Sequence, residues 1–315
     1  MLQLADHWIW DSWYVRDGEQ VHMFFLRASR ALIDPDRRHL RATVGHAVST
    51  DLRHWSLLAD ALVPADAPAW DDFATWTGST VRGPDGRWHM FYTSISRAEG
   101  GRIQRVGHAV SEDLLTFDRV GDGLVCGADY RWYENDTPGF WHDEAWRDPW
   151  VFFCEDSQLW HMTVTARLRT GDALHRATVG HATSPDLMSW SVLPPLTGET
   201  PFGQMEVTQV ECIDGRWVLV FCVGAEHVSL DSGLLPRTGT WSAPADSATG
   251  PFHLDQAECI GDGALYAGRI LQDSAGQWNL LGFRHTNEDG SFGGFIADPV
   301  PLVITARGTL QPSKG

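Results

Sequence analysis

Apolar and polar residues alternate along this chain in short runs, and the runs return. Five of them read VHMFFL (Val21–Leu26), WHMFYT (Trp88–Thr93), LWHMTVT (Leu159–Thr165), WVLVFC (Trp217–Cys222) and WNLLGF (Trp278–Phe283). Each follows a turn signal: Asp17-Gly18, Asp85-Gly86, Asp156-Ser157, Asp214-Gly215 and Ala275-Gly276. Apolar runs of this kind bounded by Asp-Gly turns predict antiparallel strands joined as hairpins. The unit recurs about every 57 to 72 residues, and five units account for nearly the whole chain. A repeat this long, filled with short strands, predicts a blade of about four antiparallel strands. The expected fold is therefore an all-β, five-bladed β-propeller formed as a single domain over residues 1–315.

A second phrase supports the blades: VGHAVSTDLRHW (Val44–Trp55), VGHAVSEDLLTF (Val106–Phe117) and VGHATSPDLMSW (Val179–Trp190). Each predicts a third strand, a tight turn at Ser-x-Asp-Leu and the start of an outer strand. The hydroxyl and carboxylate of such a turn cap local backbone groups. His46, His108 and His181 recur in every copy, so they are expected to be architectural, since a catalytic residue should occur once. Blades four and five lack the phrase; Trp241 and Phe252 are expected to mark outer strands, and blade five to end near Ser291–Ile304. The connections Pro64–Thr75 and Gly121–Trp146 are expected to be long loops. The second carries Tyr130, Trp132, Tyr133, Phe140 and Trp141, which could stack on sugar rings or pack on one another.

Composition narrows the partners. A chain of 315 residues with 43% hydrophobic content buries a large core. Sixteen Trp is a high number, and most are expected to fill that core. The net charge is −17, with Lys only at Lys314, so there is no basic patch for nucleic acid. A small uncharged carbohydrate fits better. No stretch approaches the length of an apolar membrane span. The first residues, MLQLADHWIWDSW, lack the basic and apolar regions of a secretion signal, so a cytoplasmic location is expected. Five cysteines without a CxxC pair predict no complete disulfide framework, and Cys154, Cys212 and Cys222 are expected to be buried thiols. The fourteen His include no HExxH motif or metal triad, so neither a metal nor another cofactor is expected. The oligomeric state stays open.

Counting six to eight residues back from three of the turns reaches Asp11 in WDSW, Asp148 in WRDP and Glu206 in QMEVTQ. The first strand of each propeller blade lines the central channel, so these carboxylates should converge at one mouth. Glycoside hydrolysis needs a carboxylic acid to protonate the leaving oxygen and a second carboxylate across the anomeric carbon. A third can favour the cationic transition state. Glu211 competes for the acid role but stands only three residues before its turn. Five strand residues separate it from Glu206 by roughly 16 Å, and an odd separation should turn it to the opposite face.

The same residues carry a family resemblance. HWIWDSWYV (His7–Val15) resembles the WDSWP nucleophile motif of levansucrases, glycoside hydrolase family 68, and stands where family 32 invertases and inulinases have WMNDPNG. TWTGS (Thr75–Ser79) resembles a segment that both families share, WRDP (Trp146–Pro149) matches their Arg-Asp-Pro motif, and VGHAxSxDLxxW is typical of family 32. The resemblance implies a retaining double displacement on β-fructofuranosides such as sucrose or fructo-oligosaccharides, by hydrolysis or transfer. Asp11 would be the nucleophile, Asp148 the transition-state stabiliser and Glu206 the acid/base. Arg147 resembles the arginine that hydrogen-bonds substrate hydroxyls; Trp10 and Trp76 would wall the furanose, with Thr77 and Gln204 as polar contacts. Glu206-Val207-Thr208 departs from the Glu-Cys-Pro and Glu-Arg-Pro patterns of the two families, and the C-terminal β-sandwich usual in family 32 is expected to be missing. An arabinofuranosidase-like inverting enzyme and a catalytically silent sugar-binding propeller are the alternatives.

Overall fold

The computed structural model describes residues 1–136 and 142–313. It holds five sheets of four strands, each an antiparallel meander in chain order. Blade one uses His7–Asp17, Gln20–Ser29, Thr43–Ser49 and Ser56–Leu57. Blade two uses Ala74–Arg82, Trp88–Ile95, Arg105–Ser111 and Asp118–Cys126; blade three, Trp146–Cys154, Leu159–Arg167, Ala177–Ser184 and Ser191–Leu193. Blade four follows with Glu206–Ile213, Arg216–Val223, Gly239–Ala245 and Glu258–Cys259, and blade five with Leu265–Gln272, Trp278–Arg284, Val300–Ile304 and Leu310–Pro312. The ring closes between blades five and one. Leu2 pairs with Ile296 across that seam, and the Ile9 amide donates to the Gly294 carbonyl at 3.1 Å. No helix among the described residues is long and apolar enough to cross a membrane.

The repeated phrase has a physical reading at each position. In blade one the Asp51 carboxylate accepts from the amides of Arg53 and His54 and from the Ser49 hydroxyl. Asp113 and Asp186 repeat that cap in blades two and three. The glycine of VGHA is required because a side chain from the neighbouring strand lies over it. A Cβ on Gly45 would sit 2.5 Å from the Phe25 ring, and one on Gly107 would sit 2.4 Å from Tyr92. The histidine of the phrase pairs with the histidine of the second strand: His22–His46, His89–His108 and His161–His181, each with ring nitrogens 2.9 Å apart. Two neutral imidazoles share one proton at such a contact. All three pairs lie beside a Phe ring, Phe24, Phe91 or Phe152, so they are core elements.

Every innermost strand is broken by a β-bulge. The register shifts between Trp10 and Ser12, between Trp76 and Gly78, across Thr163 and Thr165 opposite Asp148, between Glu206 and Gln209, and between Tyr266 and Arg269. Three of these bulges place a non-glycine residue at positive φ: Asp148 (59°), Val207 (54°) and Ala267 (47°). A bulge re-aims a side chain out of the regular pleat, and left-handed backbone on such residues is uncommon.

Several expectations need correcting. Trp241 lies on the third strand of blade four, and the outer strand is Glu258–Cys259, beyond Phe252. Blade five runs on to Leu310–Pro312. Gly121–Cys126 is not loop: these residues complete the outer strand of blade two, which shortens the connection to blade three. Of the three cysteines expected in the core only Cys222 is buried; Cys154 is half-buried and Cys212 exposed, since both stand at strand ends beside turns. Trp8, Trp10, Trp13, Trp88, Trp146 and Trp241 are buried core residues.

Candidate active site

A funnel of about 550 Å³ opens at one end of the ring axis. Its wall includes Trp10, Asp11, Trp76, Thr77, Arg147, Asp148, Gln204 and Glu206, so every residue proposed from the sequence meets there. Asp11, Asp148 and Glu206 arrive from blades one, three and four, each at the bulge of its innermost strand. Blades two and five contribute Thr77 and Tyr266 at the equivalent points. Five bulges thus build one site.

Asp11 is partly open to the funnel, and the Thr77 hydroxyl donates to its Oδ2 at 2.5 Å. Burial and the neighbouring charge of Asp148 push its carboxyl up to about 7, with Thr77 opposing. Asp148 is the most enclosed of the three, its side chain 4% exposed. Its Oδ2 accepts from the Thr165 hydroxyl at 2.7 Å and from the Val207 amide at 3.3 Å, while its own amide donates to Thr93 Oγ1 at 2.8 Å. Burial raises its carboxyl, with Arg147 opposing. Thr165, the Val207 amide and Arg147 hold the side chain and Thr93 holds the backbone, so it cannot swing toward a reacting carbon as a mobile group would.

Glu206 is held on both oxygens. Arg147 donates to Oε1 at 2.7 Å and Gln204 at 3.1 Å, while the Tyr266 hydroxyl donates to Oε2. Burial works against its charge, but Arg147 and Tyr266 outweigh it and hold the carboxyl below its ordinary value. Arg147 also lies 3.5 Å from Asp148 and donates to the Gln104 side-chain oxygen at 3.1 Å. The guanidinium therefore bridges two of the three carboxylates and points into the funnel. Thr77 and Gln204, expected as substrate contacts, line the funnel and donate hydrogen bonds to Asp11 and Glu206. Trp10 and Trp76 do form walls, and Trp76 is anchored by its indole N–H to the His39 carbonyl at 2.7 Å.

Replacing Thr77 by Val removes the hydrogen bond that, among the described residues, holds the Asp11 carboxyl down. If one proton must sit on the Asp11–Glu206 pair, the alkaline limb of kcat/KM is expected to move up by about one pH unit, which a pH–rate profile measures.

Glu211 lies elsewhere. It lines a separate cavity of about 190 Å³ with Tyr14, Trp150 and Arg269, and takes a hydrogen bond from Gln209 at 3.1 Å. The expectation that it turns to the opposite strand face needs correction. The bulge after Glu206 breaks the alternation, so what separates the two glutamates is their distance along the channel. Among the described aromatics after Gly121, Tyr130 and Tyr133 border a different cavity of about 700 Å³, whose described lining holds none of the three carboxylates. Phe140 and Trp141 lie outside the described residues. Sequence reasoning missed Tyr266, Arg38, His39, Glu226, His227 and His285, all in the funnel wall. Tyr266 alone had a signal, standing next to the bulge point of blade five.

A five-bladed propeller with three convergent carboxylates and an arginine between them defines a glycoside hydrolase site. Residues 16–291 match the model of the glycosyl hydrolases family 32 N-terminal domain, and the chain belongs to that family. The match begins after Asp11, so that residue's place rests on geometry. An extracellular sucrase of Zymomonas mobilis is 26% identical over 358 aligned positions, covering 98% of this chain and 82% of the sucrase. A segment of 75 residues is 45% identical to beta-fructofuranosidase 1 of Zea mays, covering 23% of this chain and 11% of that protein. Among solved structures, an inulosucrase from Halalkalicoccus jeotgali bound to kestose has a TM-score of 0.79 at 21% identity, over 98% of this chain and 89% of its own.

Proposed function

We propose that this protein transfers the β-fructofuranosyl unit of sucrose or a fructo-oligosaccharide to water or to another sugar by a retaining double displacement. The observation that carries the reading is the funnel itself: an acid/base candidate gripped by Arg147 and Tyr266, and a second carboxylate that among the described residues Thr77 alone hydrogen-bonds. The sucrase and fructofuranosidase relatives support the substrate class.

In this mechanism Asp11 attacks the anomeric carbon while Glu206 protonates the departing oxygen. A covalent fructosyl ester forms on Asp11, and Glu206 then withdraws a proton from the incoming hydroxyl. Asp148, fixed by Thr165 and the Val207 amide, accepts hydrogen bonds from sugar hydroxyls and favours the cationic transition state. The two reacting carboxyls need one proton between them. In the empty site burial places it on Asp11, since that carboxyl titrates near 7 while Glu206 is held ionised. Substrate hydroxyls that draw Arg147 away from Glu206 raise its proton affinity and leave Asp11 free to attack. Once the leaving group has departed, Glu206 is ionised, the state in which it accepts a proton in its second task, as base.

Two variants test the acid/base assignment. Glu206→Gln is expected to lower kcat on sucrose by roughly 10²–10⁴, with a much smaller loss on an aryl fructoside whose leaving group needs no proton. Glu211→Gln should retain turnover on both. Loss confined to Glu211→Gln, or a product of inverted anomeric configuration, would overturn the reading. A cytoplasmic location is also proposed; the Zymomonas relative is named extracellular, and fractionation of the native host decides.

A further inference from the structure

We propose that Arg269 is a positioning residue of this site: from blade five it clamps the bulge at Val207 and Thr208, which aims Glu206 and carries the amide that grips Asp148. The inference rests on the catalytic roles given above. Arg269 lies on the innermost strand of blade five, 1% exposed. Its Nη1 donates to the Thr208 carbonyl at 2.5 Å and to the Val207 carbonyl at 3.3 Å. Among the described residues its Nε and Nη2 meet no acceptor, so its hydrogen bonds go to those two carbonyls alone.

These carbonyls matter because of where they stand. Val207 follows Glu206 directly and sits at φ 54°, a conformation that an L-residue keeps only when its surroundings hold it. Its amide reaches both Asp148 Oδ2, at 3.3 Å, and Thr165 Oγ1, at 3.2 Å. Arg269 holds the carbonyl of Val207 and Asp148 its amide, so Glu206 and Asp148 share a support that belongs to neither blade alone. The neighbouring residues reinforce the clamp. Gln209 exchanges two hydrogen bonds with the Ile270 backbone, at 2.8 and 2.9 Å, pinning blade four to blade five just beside Arg269. The guanidinium carbon lies 4.9 Å from the Trp150 ring centre, two residues beyond Asp148 on blade three. One side chain therefore ties three blades together beneath the funnel.

Its charge is a second clue. A buried cation is costly, and a neutral donor would serve two neutral carbonyls. Burial draws the Arg269 guanidinium down to about 10, which still leaves it charged at neutral pH, with Asp148 and Asp11 favouring that charge. By the same coupling Arg269 opposes the rise of the Asp148 carboxyl. The residue thus combines a geometric task with a positive charge behind a cluster of three carboxylates.

The test uses Arg269→Lys and Arg269→Met in the full chain, assayed on sucrose across pH alongside the unmodified enzyme. Lys keeps the charge but, lacking the planar guanidinium, does not place a nitrogen where Nη1 meets both carbonyls. It is expected to lower kcat by roughly tenfold to 10² with KM within about twofold, because misplacement of reacting groups acts on the transition state. Its acid limb should match that of the unmodified enzyme. Met removes the charge as well, and should move the acid limb of kcat/KM up by about one pH unit. A folded Met variant with an unshifted limb overturns the proposal, as does a Lys variant with unchanged kcat. If Met does not fold, Lys decides alone. The catalytic reading fails separately: the unmodified enzyme would then show no turnover of any fructofuranoside, or the Asp11→Asn variant would stay active.

Discussion

Asp11→Asn is expected to lower kcat by roughly 10⁴-fold or more, the scale on which loss of a nucleophile is felt in enzymes with covalent intermediates. The same variant should be more stable than the parent at neutral pH. A carboxyl raised on folding gives stability that is fully present below its unfolded value, near 3.8, and is lost as pH rises to about 7. Asn does not ionise and escapes that loss, so the gain above pH 7 is about 4 kcal/mol. Urea unfolding at pH 5 and pH 8 checks the sign: the gain should be larger at pH 8. Site groups that oppose folding are a familiar cost of activity. A variant that keeps parental turnover removes Asp11 from the reaction.

The three histidine pairs predict an equally large effect on stability. His46 and His181 are driven down to about 4 and His108 to about 3, first by burial and then by the partner imidazole. In the unfolded chain each takes a proton near pH 6.5, while in the folded ring it stays neutral. The sign follows directly: above pH 6.5 nothing is lost, and as pH falls toward 4 the unfolded state binds protons that the folded state refuses. Each histidine costs about 1.4 kcal/mol per pH unit in that window, so the three together cost about 4. Asp11 and Glu211, both raised to about 7, bind protons on folding over the same range and offset part of this. A single His108→Gln variant isolates one pair. It should flatten the slope of unfolding free energy against pH by about 1.4 kcal/mol per unit between pH 6.5 and 4. An unchanged slope would show that His108 is protonated in the folded protein.

The blades and three carboxylates were legible in the sequence because their signals repeat. A turn that recurs with Asp-Gly or its equivalent gives a ruler, and Asp148 and Glu206 stand at the same mark on it. Thr77 stands eight residues before Asp85, at that mark too, though its residue type drew attention only through the family resemblance. What could not be read is the backbone conformation at the mark. Asp148, Val207 and Ala267 take positive φ without glycine, so no residue type announces the bulges. That gap produced the wrong face for Glu211. Arg38 and His39 were invisible for another reason: they sit on the 3-10 segment Pro35–Arg41, outside the repeat. Tyr266 and Arg269 flank a bulge in a blade whose local phrase is least regular, and long-range contacts alone give them their roles. The third-strand assignment of Trp241 shows the same limit, since aromatic residues fill several positions in a blade.

The closure of the ring between Leu2 and Ile296 has a consequence for how the enzyme fails. Asp11 is carried by the blade on one side of this seam, Tyr266 and Arg269 by the blade on the other. The seam is noncovalent, held by the Leu2–Ile296 bridge and the Ile9–Gly294 hydrogen bond. Parting it by a small angle would separate Asp11 from Glu206 while each blade keeps its own strands paired. Inactivation by heat or denaturant should therefore run ahead of the loss of β-structure.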